Sequence, residues 1–173
     1  MALTRIGLNQ SINLASNVTG TLPTANGGTG ATSFAPGKVL QVVSAVADVE
    51  TSSTSSTYAD ISEMTASITP SSTSNKVLVL VQIANASKFS GDTQLDLKLL
   101  RGSTSIHLVG GLNDGSSTAQ TSLGGPINFL DTPNTTSSTT YKVQLSNRDG
   151  NGTVTVQGNN KDGSITLMEI AGW

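Results

Sequence analysis

Residues 76–83 read Lys-Val-Leu-Val-Leu-Val-Gln-Ile, and this stretch decides the fold. Apolar side chains stand at both odd and even positions, so an extended strand here needs cover on both of its faces. Pro70 and the polar residues 71–75 end the preceding segment with a turn. We therefore expect a central strand in a fold built of two packed sheets.

The segments around this stretch alternate between apolar and polar residues. Leu95, Leu97 and Leu99 are separated by single polar residues, and the same alternation recurs at residues 141–145. The spacing predicts about eight to ten short strands without a helix between them. This pattern is typical of an antiparallel β-sandwich or barrel, and it does not separate a jelly roll from an immunoglobulin-like sandwich.

The turns and the last strand add detail to this pattern. Asp149-Gly150-Asn151-Gly152 predicts a hairpin that leads into Val154 and Val156. Residues 51–57 are all Ser or Thr and predict a loop or a weak edge, and residues 110–125 predict a long loop. The final segment is apolar on both faces, with Ile165 and Leu167 on one and Met168 and Ile170 on the other. This pattern predicts either a strand between two neighbours or a bulge.

Composition excludes several classes of function. The chain has 173 residues, 24 Ser, 24 Thr, 12% charged residues and a formal net charge of −2. The absence of cysteine rules out disulfides and thiolate metal sites, and a single histidine rules out multi-histidine sites. Without a Lys/Arg cluster we expect no nucleic-acid partner, and without a long apolar run no membrane helix. No cofactor is expected.

The first 36 residues differ from the rest, which divides the chain into an N-terminal attachment arm, residues 1–36, and a β-sandwich domain, residues 37–173. Apolar residues in the arm are too few to form a core of their own, so the arm must either lie on another surface or stay disordered, and we expect it to bind a partner surface. The arm residues expected to do so are Leu3, Ile6, Leu8, Ile12 and Leu22, with Gly27, Gly28 and Gly30 allowing close backbone approach.

The glycines of the arm approach a dinucleotide-binding fingerprint without completing it. Pro23 and polar residues stand where a buried strand is required, and Ser33 stands where the third glycine would be. Pro36 then stops any helix that could face a pyrophosphate. We interpret the segment as an extended Gly/Thr arm.

The run Asn17-Val18-Thr19-Gly20-Thr21-Leu22-Pro23, followed by Ala25-Asn26-Gly27-Gly28-Thr29-Gly30, resembles a segment of tailed-bacteriophage tail-fibre and virion-surface proteins. The start Met1-Ala2-Leu3-Thr4 and the ending Ser164-Ile165-Thr166-Leu167-Met168-Glu169-Ile170-Ala171 resemble such proteins as well. The resemblance implies a virion structural protein. Together with the strand number, it favours the jelly roll among β-sandwiches.

Catalytic and metal sites have weak support in the sequence. His107 lies between Ile106 and Leu108 in a strand, without nucleophile-elbow glycines, so a structural role is expected. The carboxylates are scattered and aromatic residues are scarce, which argues against a depolymerase or a carbohydrate-binding module. Oxygens of Asp149, Asn151 and Asp162 offer a calcium option, although Asp/Asn-Gly is ordinary turn chemistry. We expect a protein without enzymatic activity.

The expected function is therefore mechanical. One candidate is a capsid decoration or cement protein, bound to the major capsid protein by its arm and trimeric through its β-domain. The other is a short tail fibre or fibre tip, anchored to a tail or adaptor protein. The lack of shaft repeats favours the first, and the glycine segment favours the second. We expect a homotrimer with Leu78 and Leu80 in the subunit contact. The large apolar side chain of Trp173 is expected either to fold back onto its own domain or to make a further subunit contact.

The expected location is the virion surface. Residues 1–14 lack a basic cluster followed by an apolar run, so the sequence predicts synthesis in the host cytoplasm without a secretory signal.

Overall fold

The protein is all-β and antiparallel in the computed structural model, which describes residues 38–89, 91, 93–112, 120–122 and 124–172. These residues form twelve strands and contain no helix. The strands are β1 (Val39–Ala47), β2 (Thr51–Ser53), β3 (Ala59–Ile68), β4 (Lys76–Gln82), β5 (Ala86–Lys88), β6 (Leu95–Arg101), β7 (Thr104–Leu112), β8 (Gln120–Ser122), β9 (Pro126–Asp131), β10 (Thr139–Asn147), β11 (Val154–Val156) and β12 (Gly163–Ile170).

The eight longer strands form a jelly roll. One four-stranded sheet has the order β1-β12-β4-β9, and the facing sheet has the order β3-β10-β6-β7. Apart from the β6–β7 hairpin, every step from one of these strands to the next crosses between the sheets. That order and those crossings define two interlocked Greek keys, so the jelly-roll prediction is confirmed and the immunoglobulin-like alternative is wrong.

The four short strands form a third sheet, in the order β2-β11-β5-β8. Each interrupts one crossing connection, and antiparallel geometry puts these four connections at the same end of the sandwich, here called the capped end. The other connections, residues 69–75, 102–103 and 132–138, lie at the opposite end, here called the turn end. The described chain also enters and leaves at the turn end, where Ala171 N–H donates to Lys38 C=O at 2.7 Å.

The core lies between the two larger sheets and follows the alternation in the sequence. Leu95, Leu97 and Leu99 are fully buried, whereas Asp96 and Lys98 between them are half-buried. The expectation for residues 76–83 is confirmed, because β4 lies between β12 and β9 with Val77, Val79 and Val81 inside. The final strand β12 likewise lies between two neighbours, β1 and β4.

Strand β3 contains a bulge at Glu63. Ile61 and Met64 both point into the core although they are three positions apart. Glu63 between them has a φ of 61°, and the β3–β10 register shifts at this point. An extra residue in a strand returns the next side chain to the same face, so the bulge accounts for the irregular apolar spacing.

Two of the three loop predictions are wrong in part. β11 does not pair with β10 across the turn at residues 149–152, because it pairs with β2 and β5 in the third sheet. The turn forms, with Gly150 and Gly152 at positive φ, but it carries the chain to another layer. The expected loop at 110–125 contains the end of β7 and all of β8. The weak edge offered for residues 51–57 is confirmed, because residues 51–53 form β2 at the edge of the third sheet. The domain boundary near residue 36 falls outside the described residues and stays a prediction.

Candidate functional site

The two solvent-facing sides of the sandwich have opposite chemistry. On the outer side of the β1-β12-β4-β9 sheet, here called the apolar face, most outward side chains are aliphatic. Among the described residues of these four strands, the only outward charge is Lys76, because Glu169 and Asp131 are buried on the inner side. The aliphatic residues of the apolar face are Leu40, Val42, Val46, Leu78, Leu80, Leu130, Met168 and Ile170.

The strand register places four of these side chains in one row across the sheet. Val42 is opposite Met168, Met168 is opposite Leu78, and Leu78 is opposite Leu130. Neighbouring strands lie about 4.8 Å apart, so the row is a continuous apolar stripe about 14 Å long between its outer Cα atoms. Val42 and Leu130, at the two ends of the row, are 55% and 46% exposed. The middle of the row is half-buried by its neighbours.

The next row is mixed, and the apolar character continues mainly along β1. Ser44 and Thr166 pair through their hydroxyls at 2.9 Å, beside Leu80 of β4. Val46 on β1 is 59% exposed. β-branched aliphatic residues normally bury such area, so an exposed set of them on one sheet is the kind of surface that another protein covers.

The outer side of the β3-β10-β6-β7 sheet, here called the charged face, is paired and polar. Lys142 Nζ lies 2.8 Å from Asp60, and Arg148 Nη2 lies 2.7 Å from Asp96. The hydrogen bond from Lys142 lowers the pKa of Asp60 below its usual value, and burial opposes this only in part. Ion pairs exposed to water contribute little stability, but they keep this face solvated.

The edges of the two sheets also differ. On the charged-face sheet, β3 carries the Glu63 bulge, and the β7 register shifts twice against β6. On the apolar-face sheet, β9 pairs with β4 without a shift, and β1 pairs regularly with β12 from Gln41 to Ala47. Bulges and charges on an edge strand discourage pairing with another chain. The sheet with the apolar face therefore has the more regular edges, with one register shift in β1 between Val39 and Gln41.

A buried carboxylate anchors the apolar-face sheet at the turn end. Glu169 on β12 is 1% exposed and accepts hydrogen bonds from Gln41 Nε2 at 2.9 Å, Asn75 Nδ2 at 2.6 Å, and Ser71 N and Oγ at 2.6 and 2.7 Å. Burial raises the pKa of Glu169, but these donors outweigh it and hold the pKa at about 2. Edge strand β1 and the 69–75 turn are thereby tied to β12.

A second buried carboxylate joins the two sheets near the same end. Asp131 on β9 accepts a 2.6 Å hydrogen bond from the Tyr141 hydroxyl of β10 and a 2.9 Å contact from Arg101 Nη1 of β6. Burial, followed by the hydrogen bond to Asp131, raises the pKa of Tyr141 well above its usual value. The phenol therefore stays a neutral donor, and the cluster is structural.

The residues of the two chemical options, catalysis at His107 and calcium binding at residues 149–162, do not come together as a site. His107 faces inward on β7, half-buried, with its ring centroid 5.3 Å from that of Phe129. For the calcium option, no group of three or more His, Cys, Asp or Glu side chains that could hold a metal occurs among the described residues. The Asn151 carbonyl instead accepts hydrogen bonds from Asn147 and Thr93.

Other predicted site residues divide between the apolar face and the undescribed part of the chain. Leu78 and Leu80 point outward on β4, as expected of contact residues. The arm residues Leu3, Ile6, Leu8, Ile12, Leu22, Gly27, Gly28 and Gly30, and also Trp173, lie outside the described residues. Sequence reasoning did not single out Val42, Val46 or Leu130. In the part of the chain that is described, no helix is long and apolar enough to cross a membrane.

Comparison with known proteins gave structural neighbours only. No protein-family model matches the chain, and no curated protein matches it. The solved structures of infectious bursal disease virus strains Gx and Gt align at TM-scores of 0.31 and 0.35, both with 16% identity, and cover 76% and 94% of this chain. The VP2 subviral particle of the same virus aligns at a TM-score of 0.33 with 14% identity over 76% of this chain.

This chain spans less than half of each of these neighbours, namely 37%, 38% and 47% of their lengths. No family assignment follows from alignments at these TM-scores. The fold stands on the strand order described above.

Proposed function

We propose that this chain is a structural protein of a phage virion, a capsid decoration or cement protein that stabilises the head through its N-terminal arm and a trimeric β-domain. The observation that carries the proposal is the division of the sandwich into an apolar face and a charged face. A protein that works by packing against other subunits needs one surface that leaves water and one that stays in it.

Two further observations support this role. The segment at residues 17–30 resembles virion-surface proteins of tailed phages, which gives the arm a place in the assembly. Two buried carboxylates of the sandwich hold strands together through their donors, namely Glu169 and Asp131. In this proposal the major capsid protein receives the arm, and the sandwich domain sits on the outside of the head.

The tail-fibre role is the second candidate, favoured by the glycine segment of the arm. In that role the arm binds a tail or adaptor protein, and the sandwich domain contacts the host surface. The two roles place the same molecule at different points of the particle.

Imaging of the intact virion tests both roles. The expected result is density for the sandwich domain on the capsid shell, at the junctions between capsomers. Density at the tail alone would replace the cement role with the fibre role. A particle whose protein inventory and density both lack this chain would refute the proposal as a whole.

A further inference from the structure

We propose that a second copy of this chain covers the apolar face, with β1 of one copy lying against β9 of the next around a threefold axis. This inference rests on the proposed function for its trimer, and it adds which surface makes the contact. In this arrangement the three apolar faces turn inward toward the axis. The three charged faces point outward into solvent.

The chemistry of the apolar face favours a second copy as its partner. The apolar face has Lys76 as its only outward charge among the described residues of its four strands. A strongly charged partner would have to give up its hydration here without gaining a counter-charge. A second copy brings an equally uncharged aliphatic surface and sets few like charges against each other. The charged face, with its Lys142–Asp60 and Arg148–Asp96 pairs, does not offer this match.

The area of the apolar face is smaller than one side of a standard interface. Four strands at about 4.8 Å spacing and about six residues of strand length give the apolar face roughly 400 Å². One partner in a standard interface contributes about 800 Å², so the face alone supplies about half of it. A stable contact therefore has to include the edges beside the face. These edges are β1 and β9.

The geometry of edge strands β1 and β9 allows them to pair between copies. None of the hydrogen bonds of the described residues pairs the outer side of β1 or β9 with another strand. β9 pairs with β4 without a shift, and β1 is regular from Gln41 to Ala47 with one register shift between Val39 and Gln41, whereas β3 is interrupted by its bulge and β7 is shifted twice. Since β1 and β9 run in opposite directions within the sheet, a threefold axis along the strands keeps them antiparallel between neighbouring copies.

Charge insertion on the apolar face tests the contact. Val46→Lys and Val42→Lys put an ammonium group into the proposed interface, while their side chains point away from the core. The matched control is Leu108→Lys, because Leu108 is 61% exposed on the charged face and Val46 is 59% exposed on the apolar face. Each variant is first compared with the wild type by far-UV circular dichroism, to establish that it is folded.

Sedimentation velocity of the full chain at micromolar concentration then gives the result. We expect a trimer for the wild type and for Leu108→Lys, and monomers for both valine variants, since a buried charge weakens each contact by on the order of tenfold or more. A monomeric wild type would overturn the inference. Folded valine variants that remain trimeric would overturn it as well.

A cysteine pair tests which edges meet. The chain has no cysteine, so Val42→Cys with Leu130→Cys introduces the only thiols. Within one copy these positions are three strand spacings apart, about 14 Å, which is too far for a disulfide. Oxidation should therefore give a covalent trimer on a non-reducing gel. Each single variant should stay monomeric on that gel.

A covalent dimer formed by Val42→Cys alone would place β1 against β1 and overturn the threefold arrangement. These outcomes are independent of virion imaging. A chain that sits on the shell as a monomer would overturn this inference and leave the cement role standing. A chain that is trimeric through the apolar face but absent from the virion would refute the cement role and leave this inference standing.

Discussion

The hydrogen bonds around Glu169 allow a quantitative prediction of the free energy of unfolding. The change is Glu169→Gln, which keeps the shape of the side chain but replaces an acceptor oxygen with an amide donor. Gln41, Asn75 and Ser71 all donate to the carboxylate in the folded protein. The variant would bring its own N–H groups toward these donors, so buried donors are left without an acceptor.

The size of the effect follows from the pKa. A carboxyl pKa that falls from 4.5 to about 2 on folding stabilises the native state by about 3 kcal/mol at neutral pH. Because the folded pKa is the lower one, this contribution is complete above pH 4.5 and is lost as the pH falls toward 2. At pH 3 about half of it remains.

The assay is urea denaturation of the wild type and the variant at pH 7 and pH 3. We expect the free energy of unfolding of Glu169→Gln to be lower by about 3 kcal/mol at pH 7 and by about half that at pH 3. The control is Glu50→Gln, an exposed carboxylate, with an expected change within about 0.5 kcal/mol at either pH. Equal stability of the wild type and Glu169→Gln at pH 7, or a difference that does not shrink at pH 3, would refute the reasoning.

Three further predictions concern the core and the arm. Tyr141→Phe leaves buried Asp131 without a 2.6 Å donor and should lower the free energy of unfolding by about 1–3 kcal/mol in urea titration. Gly163→Ala would place a Cβ 2.6 Å from Gln157 Nε2 and 2.8 Å from the Gln82 carbonyl, so thermal melting should show a loss of about 1–3 kcal/mol. Deletion of residues 1–36 should leave the melting transition of the sandwich domain nearly unchanged and abolish its incorporation into particles. Unfolding of that truncated chain would show that the arm belongs to the core.

The larger elements of the fold were predictable because their signals are local. The two-sided run at residues 76–83 and the alternation at residues 95–99 each report burial within a single strand. The third sheet could not be predicted in this way. Three residues such as Val154–Val156 are too short to show a period, and their partners β2 and β5 are remote in sequence. Asp149–Gly152 chemistry specifies a turn, but not the layer into which the chain continues.

The candidate site was predictable in part for a similar reason. Leu78 and Leu80 are expected at solvent-side positions of a strand apolar on both faces, and the structure places both of them on the outer side of β4. β1 is apolar on both sides, so its sequence alone does not tell which of Val42 and Val43 faces water. Leu130 belongs to the row only through the register of β9 against β4, which no local pattern encodes. The donors of Glu169 likewise come from residues 94 to 128 positions away.

The hydrogen bond between Ala171 and Lys38 at the turn end has a mechanical consequence. A force on the segment before Lys38, directed along the strands, is transmitted to β1. The hydrogen bonds between β1 and β12, from Val39 to Ala47, resist this force. Such a force acts on these hydrogen bonds in shear and loads all of them at once. It does not break them one after another. A domain tethered through β1 would therefore resist force along its strands better than force that peels β1 sideways from β12.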